Sequence, residues 1–191
     1  MSTTTKIKEF QVSEYDVINM FSFSGALPVT AGTAVTPVSS SGWIVDGNDV
    51  NVTSWPGAAT YGNTLSPYWT TAAQVRAAGS GDAILGILRY DVRTVDENGL
   101  PLKFYPLKAA ENNWMLSGQT VPIINKGFVF ISGQFGGNVS AGQVAYVSGA
   151  AGAEAGEIFG GTNASTAKLG RFWGARGTTN QFVLLQVNPT I

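Results

Sequence analysis

Apolar positions along this chain recur at every second residue more often than at every third or fourth. From Asp82 to Val95 the second half of the run sets Arg89, Asp91 and Arg93 on one face. Leu88, Tyr90 and Val92 take the other, the pattern of a half-buried strand. Asp96-Glu97-Asn98-Gly99 follows, and its Asn-Gly pair supplies the positive-φ positions of a tight hairpin turn. The chain returns through Leu100 to Leu107. Pro101 and Pro106 cannot donate to a ladder, so this return strand is an edge or is paired at its centre alone.

Short apolar runs then follow at close spacing. Thr120–Ile124 and Gly127–Ile131 are separated by a turn at Asn125-Lys126. Gln143–Val147 precedes a Gly/Ala loop, and Lys168–Trp173 and Gln181–Val187 flank a hairpin turn at Gly177–Asn180. Strands of this length with turn signals about every ten residues predict an all-β fold, with a β-sandwich or small β-barrel core. Few short helices are expected. Ser66–Ala78 carries an N-cap serine, a proline at the first helical position and Gly79 as a stop, and Lys108–Trp114 has room for one turn.

The N-terminal segment differs in character. Lys6, Lys8, Glu9, Glu14 and Asp16 concentrate charge there, which predicts an extended, solvated or partner-seeking arm over residues 1–25. Ten extended residues reach up to ~35 Å, enough to lie over a neighbour or add a strand to its sheet. No linker divides the remainder, so residues 26–191 read as a single β-rich domain. Lys6, Lys8, Phe10 and Tyr15 of the arm are candidate partner contacts. Tyr61 and Trp69 join them because they lie in a Gly/Pro/Ser-rich stretch, where aromatic side chains favour the surface.

Composition removes much chemistry. The chain has no Cys and no His, which excludes disulfides, cysteine-containing zinc sites and Cys–His or Ser–His catalytic pairs. Charged residues make up 12%, against a usual ~25%. The 24 glycines are nearly twice the average usage of about 7%, and most fall where turns are expected. A net charge of −1 provides no electrostatic footprint for nucleic acid or an anionic membrane. The first residues have no apolar core of a signal peptide, and no apolar run approaches the ~20 residues of a membrane helix. A soluble protein is expected.

The remaining candidates for chemistry have simpler explanations. Asp91, Asp96 and Glu97 belong to a strand and its hairpin tip rather than to two walls of a cleft. Asp46-Gly-Asn-Asp-Val-Asn51 alternates oxygen ligands but lacks the downstream glutamate of a calcium loop. Gly149–Gly156 lacks both the strand-to-helix setting and the Lys-Ser/Thr of a phosphate loop. The five tryptophans, Trp43, Trp55, Trp69, Trp114 and Trp173, fill a core or anchor a partner. No catalytic, cofactor-binding or metal-ligating residue is assigned, and no enzymatic activity is expected.

One resemblance adds a setting. Asp82–Gly99, Phe104–Glu111 and Leu116–Gly127 resemble head proteins of tailed-phage virions. Ser140–Val147, Lys168–Phe172 and Phe182–Val187 are similar to the small β-rich decoration, or cement, proteins of phage capsids. The likeness covers about residues 80–187 and does not extend to the first 80. It implies a structural virion protein, made in the host cytoplasm and bound to the outer capsid surface. Its implied partners are the major capsid protein and further copies of itself, with a trimer favoured over a dimer. The alternative is a phage tail or head-fibre protein that binds host glycans through surface Trp and Tyr.

Overall fold

The computed structural model describes residues 6–26, 28–38, 73–79, 81–90, 98, 100–101, 104, 114–132, 138–147, 155–160, 167–175 and 182–189. In chain order, the first strands are β1 (Lys6–Gln11), β2 (Val17–Phe23), β3 (Val29–Thr30), β4 (Ala34–Pro37) and β5 (Gln74–Ala77). β6 (Gly86–Leu88), β7 (Trp114–Met115), β8 (Thr120–Ile124) and β9 (Gly127–Ser132) follow. The last are β10 (Val144–Val147), β11 (Ile158–Gly160), β12 (Lys168–Phe172) and β13 (Val183–Val187). A 3-10 turn at Glu14–Asp16 joins β1 to β2, and no helix reaches seven residues among those described. The protein is all-β.

Five strands close a barrel in the order β2-β5-β4-β6-β8, and six form a sheet in the order β1-β9-β13-β12-β10-β11. β3 and β7 make a separate pair. Apolar doublets explain how the two layers join. In β8, Ile123 points into the barrel with Phe21, Val35, Val75 and Leu88. Its neighbour Ile124 points out and meets Val129, Ile131 and Leu185 of the sheet. Ile87 and Leu88 of β6 divide in the same way, as do Ala34 and Val35 of β4. Successive strand residues face opposite sides, so a strand between two cores must be apolar on both.

The joint between the layers is a paired corner. β1 lies against β9 in the sheet, and β2 lies against β8 in the barrel, both antiparallel. The two connections therefore turn together, and the Asn125 N–H donates to the Asp16 carbonyl across them at 2.9 Å. The Asn125 side-chain amide donates to the Leu85 carbonyl at 2.6 Å. Asn125-Lys126 is thus a corner between layers and not a hairpin turn. Gly127 sits at it with φ +136, and a Cβ there would lie 2.8 Å from the Gln11 carbonyl oxygen. A register shift in β2 between Ile18 and Phe21 falls opposite Pro122, which has no N–H for a ladder.

Several expectations change here. Residues 6–23, set apart by composition as an arm, are extended but built into both layers of their own chain. Ile7, Phe21 and Phe23 supply the apolar anchors that the local charge obscured. The helix expected over Ser66–Ala78 is a strand where it is described: β5 pairs with β2 and β4. Ala73, Val75 and Ala78 are buried while Arg76 is exposed, so tertiary burial outweighs the alanine-rich helix propensity. Trp114 belongs to β7, and residues 108–113 lie outside the described residues. Of the hairpin expected over 82–107, residues 82–90, Asn98, Leu100, Pro101 and Phe104 are described; β6 pairs with β4 and β8 instead of a return strand, and the rest lies outside the described residues. β12 and β13 pair as an antiparallel hairpin, and the turn between them also lies outside.

Candidate interaction surface

The inner face of the six-stranded sheet is covered by the barrel. Its outer face is built by the alternate residues of the same strands. Lys8, Phe130 and Leu184 are directly opposed across β1, β9 and β13, and the Trp173 N–H donates to the Leu184 carbonyl at 2.8 Å. One row therefore reads Lys8–Phe130–Leu184–Trp173. The next reads Gln11–Phe128–Gln186–Arg171–Val144, with Phe10 at the register shift of β1. Toward the far edge the face is covered at Tyr146 of β10, which is buried, and Phe159 of β11 lies beside it with the two rings 6.1 Å apart. With strands about 4.8 Å apart, six of them make a face on the order of 24 Å wide.

Rings dominate this face. Phe10 is 62% exposed, Trp173 54% and Phe182 38%. At 150–250 Å² per aromatic side chain, these three alone present roughly 300 Å² of ring surface, the size at which an apolar patch marks an interaction site. The rings are held in place. Phe10 stands edge-on to Phe130 with centroids 5.3 Å apart, and the Lys8 ammonium lies 4.8 Å from the Phe182 centroid. The Trp173 indole N–H donates to Gln186 Oε1 at 2.9 Å, and Arg171 Nη1 donates to the Gly142 carbonyl at 3.1 Å. The charged side chains at outward strand positions, Lys8, Lys168 and Arg171, are all cationic. The carboxylate of Glu157 precedes β11, at the edge opposite Phe10 and Phe182. This face offers apolar contact, ring stacking and pairing with anions.

A second exposed feature is the corner itself. Tyr15 is fully exposed in the 3-10 turn, flanked by Glu14 and Asp16. The turn is fixed by the Ser13 hydroxyl, which accepts from the Tyr15 N–H at 3.3 Å, and by the Asp16 N–H donating to the Ser13 carbonyl at 3.0 Å. Beside it, Glu9 ties β1 to the barrel. Arg89 donates through Nε and Nη2 to its two carboxylate oxygens, the second at 2.7 Å. The hydrogen bond to Glu9 raises the Arg89 pKa above its ordinary value, against a lowering by burial. Among the described residues, no three Asp or Glu side chains gather in a metal-ligand cluster.

Three of the six expected contact residues fall on these features: Lys8 and Phe10 on the sheet face and Tyr15 at the corner. Lys6 lies in β1 with its backbone described, and Tyr61 and Trp69 lie outside the described residues. The expected contacts did not include Phe128, Phe130 or Phe182, and Trp173 was open between core filling and partner anchoring. Their signal was present in Gly127-Phe-Val-Phe-Ile131 and Phe182-Val-Leu-Leu185, runs with no polar alternation where one solvated face demands it. No protein-family model matches this chain, and no curated protein matches it.

Proposed function

We propose that this chain is a non-enzymatic structural protein of a tailed-phage virion. It binds the outer capsid surface and stabilises contacts between major capsid protein subunits. The supporting observation is the aromatic outer face of the six-stranded sheet, backed by a closed barrel. A broad apolar face suits another protein surface better than an enclosed small molecule, because specific protein interfaces bury about 800 Å² per partner. The phrase-level resemblance over residues 80–187 supplies the capsid as the setting.

An electron-microscopy map of the particle tests this reading. Copies arranged on the capsid lattice are expected, and density confined to a tail or fibre would overturn it. Particles lacking the protein should release their genome at lower temperature, and unchanged thermal release would count against a cement role. One observation favours the glycan-binding alternative: the exposed Trp173 ring stands beside Arg171 and Gln186, a stacking platform with planar polar neighbours. In that case the copy number follows the fibres.

A further inference from the structure

We infer that the aromatic sheet face receives the Glu14–Tyr15–Asp16 corner of a second copy of this chain, in a head-to-tail contact. The inference rests on reading that face as a docking surface, and it names the occupant. Charge decides between the ways two copies can meet. Face against face would oppose Lys8 and Arg171 with like charges, which costs affinity. The corner carries the opposite sign: Glu14 and Asp16 flank a fully exposed tyrosine. Neither carboxylate forms an ion pair among the described residues, and Lys126 on the facing connection pairs with neither. Arg89, the cation whose field Glu14 shares, is already engaged by both oxygens of Glu9.

The chemistry matches part for part. The Tyr15 ring enters among Phe10, Phe182 and Trp173, while the two carboxylates meet Lys8 and Arg171. Aromatic anchors with charged neighbours are the usual energetic centre of an interface. Both halves are formed before contact, the corner by two backbone hydrogen bonds and the Ser13 hydroxyl and the face by its ring and indole contacts, so little ordering opposes association. Two different surfaces make the contact heterologous. Such contacts close into a ring when the rotation permits and otherwise extend as a chain.

Sedimentation equilibrium on the purified full chain tests this. The wild type should associate in the micromolar-to-millimolar range, and a protein that stays monomeric to about 1 mM would overturn the inference. Tyr15→Ala should weaken association at least tenfold with the far-UV circular dichroism unchanged; unaltered association would likewise refute it. A charge-exchange experiment gives the decisive outcome. E14K/D16K and K8E/R171E should each be monomeric alone and form a 1:1 complex when mixed, since each supplies one reversed half. Failure of the mixture to associate overturns the pairing. If R171E perturbs folding, K8E alone against E14K/D16K gives the same comparison. A wild-type protein that binds particles but does not self-associate would refute this contact and leave the capsid reading standing. Intact self-association without particle binding would do the reverse.

Discussion

Alanine at Gly127 probes the corner on which the two layers depend. Two separate terms act there. The backbone has φ +136, a region that side chains rarely enter, at roughly 1–3 kcal/mol. A Cβ would also stand 2.8 Å from the Gln11 carbonyl oxygen and 3.2 Å from Val12 Cγ2. The first of these is backbone in the β1–β9 ladder and has no rotamer to yield, so crowding adds about 1–3 kcal/mol. The sum is on the order of 2–6 kcal/mol, less about 0.5 kcal/mol for the stiffer unfolded chain. Two companions separate the terms. Gly142 has φ +84 with nothing within 4 Å of a Cβ, so Gly142→Ala should cost about 1–2 kcal/mol from the backbone alone. Gly86 has no positive φ, but its Cβ would lie 2.9 Å from Ile123 Cγ2, so Gly86→Ala reports crowding alone. Urea unfolding at 25 °C would measure all three, and thermal midpoints should fall by roughly 10 °C for Gly127→Ala. Equal losses at Gly127 and Gly142 would refute the crowded corner. A neutral Gly86→Ala would refute the close approach of β6 to β8.

The two faces of β13 should respond differently to truncation: Leu185→Ala, inside the core, should lose about 2–5 kcal/mol in denaturant unfolding, and Leu184→Ala, on the outer face, less than about 1 kcal/mol. Similar losses would mean the outer face is covered. The Glu9–Arg89 pair is partly exposed, with side chains 37% and 23% accessible, so a double-mutant cycle of Glu9→Gln and Arg89→Met should give a coupling of about 0.5–1 kcal/mol that shrinks in about 1 M salt. Because Glu9 raises the Arg89 pKa, the arginine's contribution is complete below its unfolded value and is lost only as pH rises through the higher folded one. Thermal stability should therefore show no Arg89-dependent change between about pH 7 and 10; a drop there that disappears in Arg89→Met would contradict this sign.

Much of the strand inventory is legible in local pattern. The runs at 120–124, 127–131, 143–147, 168–173 and 181–187 all carry observed strands, because β-branched and aromatic clusters between turn residues suit a pleated surface. Local pattern failed where burial came from distant chain. Ala73–Ala78 reads as helix until β2 and β4 flank it, and the charges around Lys8 and Glu14 conceal that Ile7 and Phe21 enter two cores. The outer sheet face was half legible. Its rings were visible as unbroken apolar runs, yet nothing local told core from surface for Phe130 or Trp173.

The all-β class, the strand-forming runs from 120 to 187 and the absence of Cys and His chemistry follow from composition and a two-residue period alone. The tertiary structure alone decided which side of each strand meets the barrel and which meets solvent. Adjacent apolar residues such as Ile123 and Ile124, or Phe130 and Ile131, are chemically alike, and only strand pairing across the corner assigns one to a core and the other to a second core or to the open face.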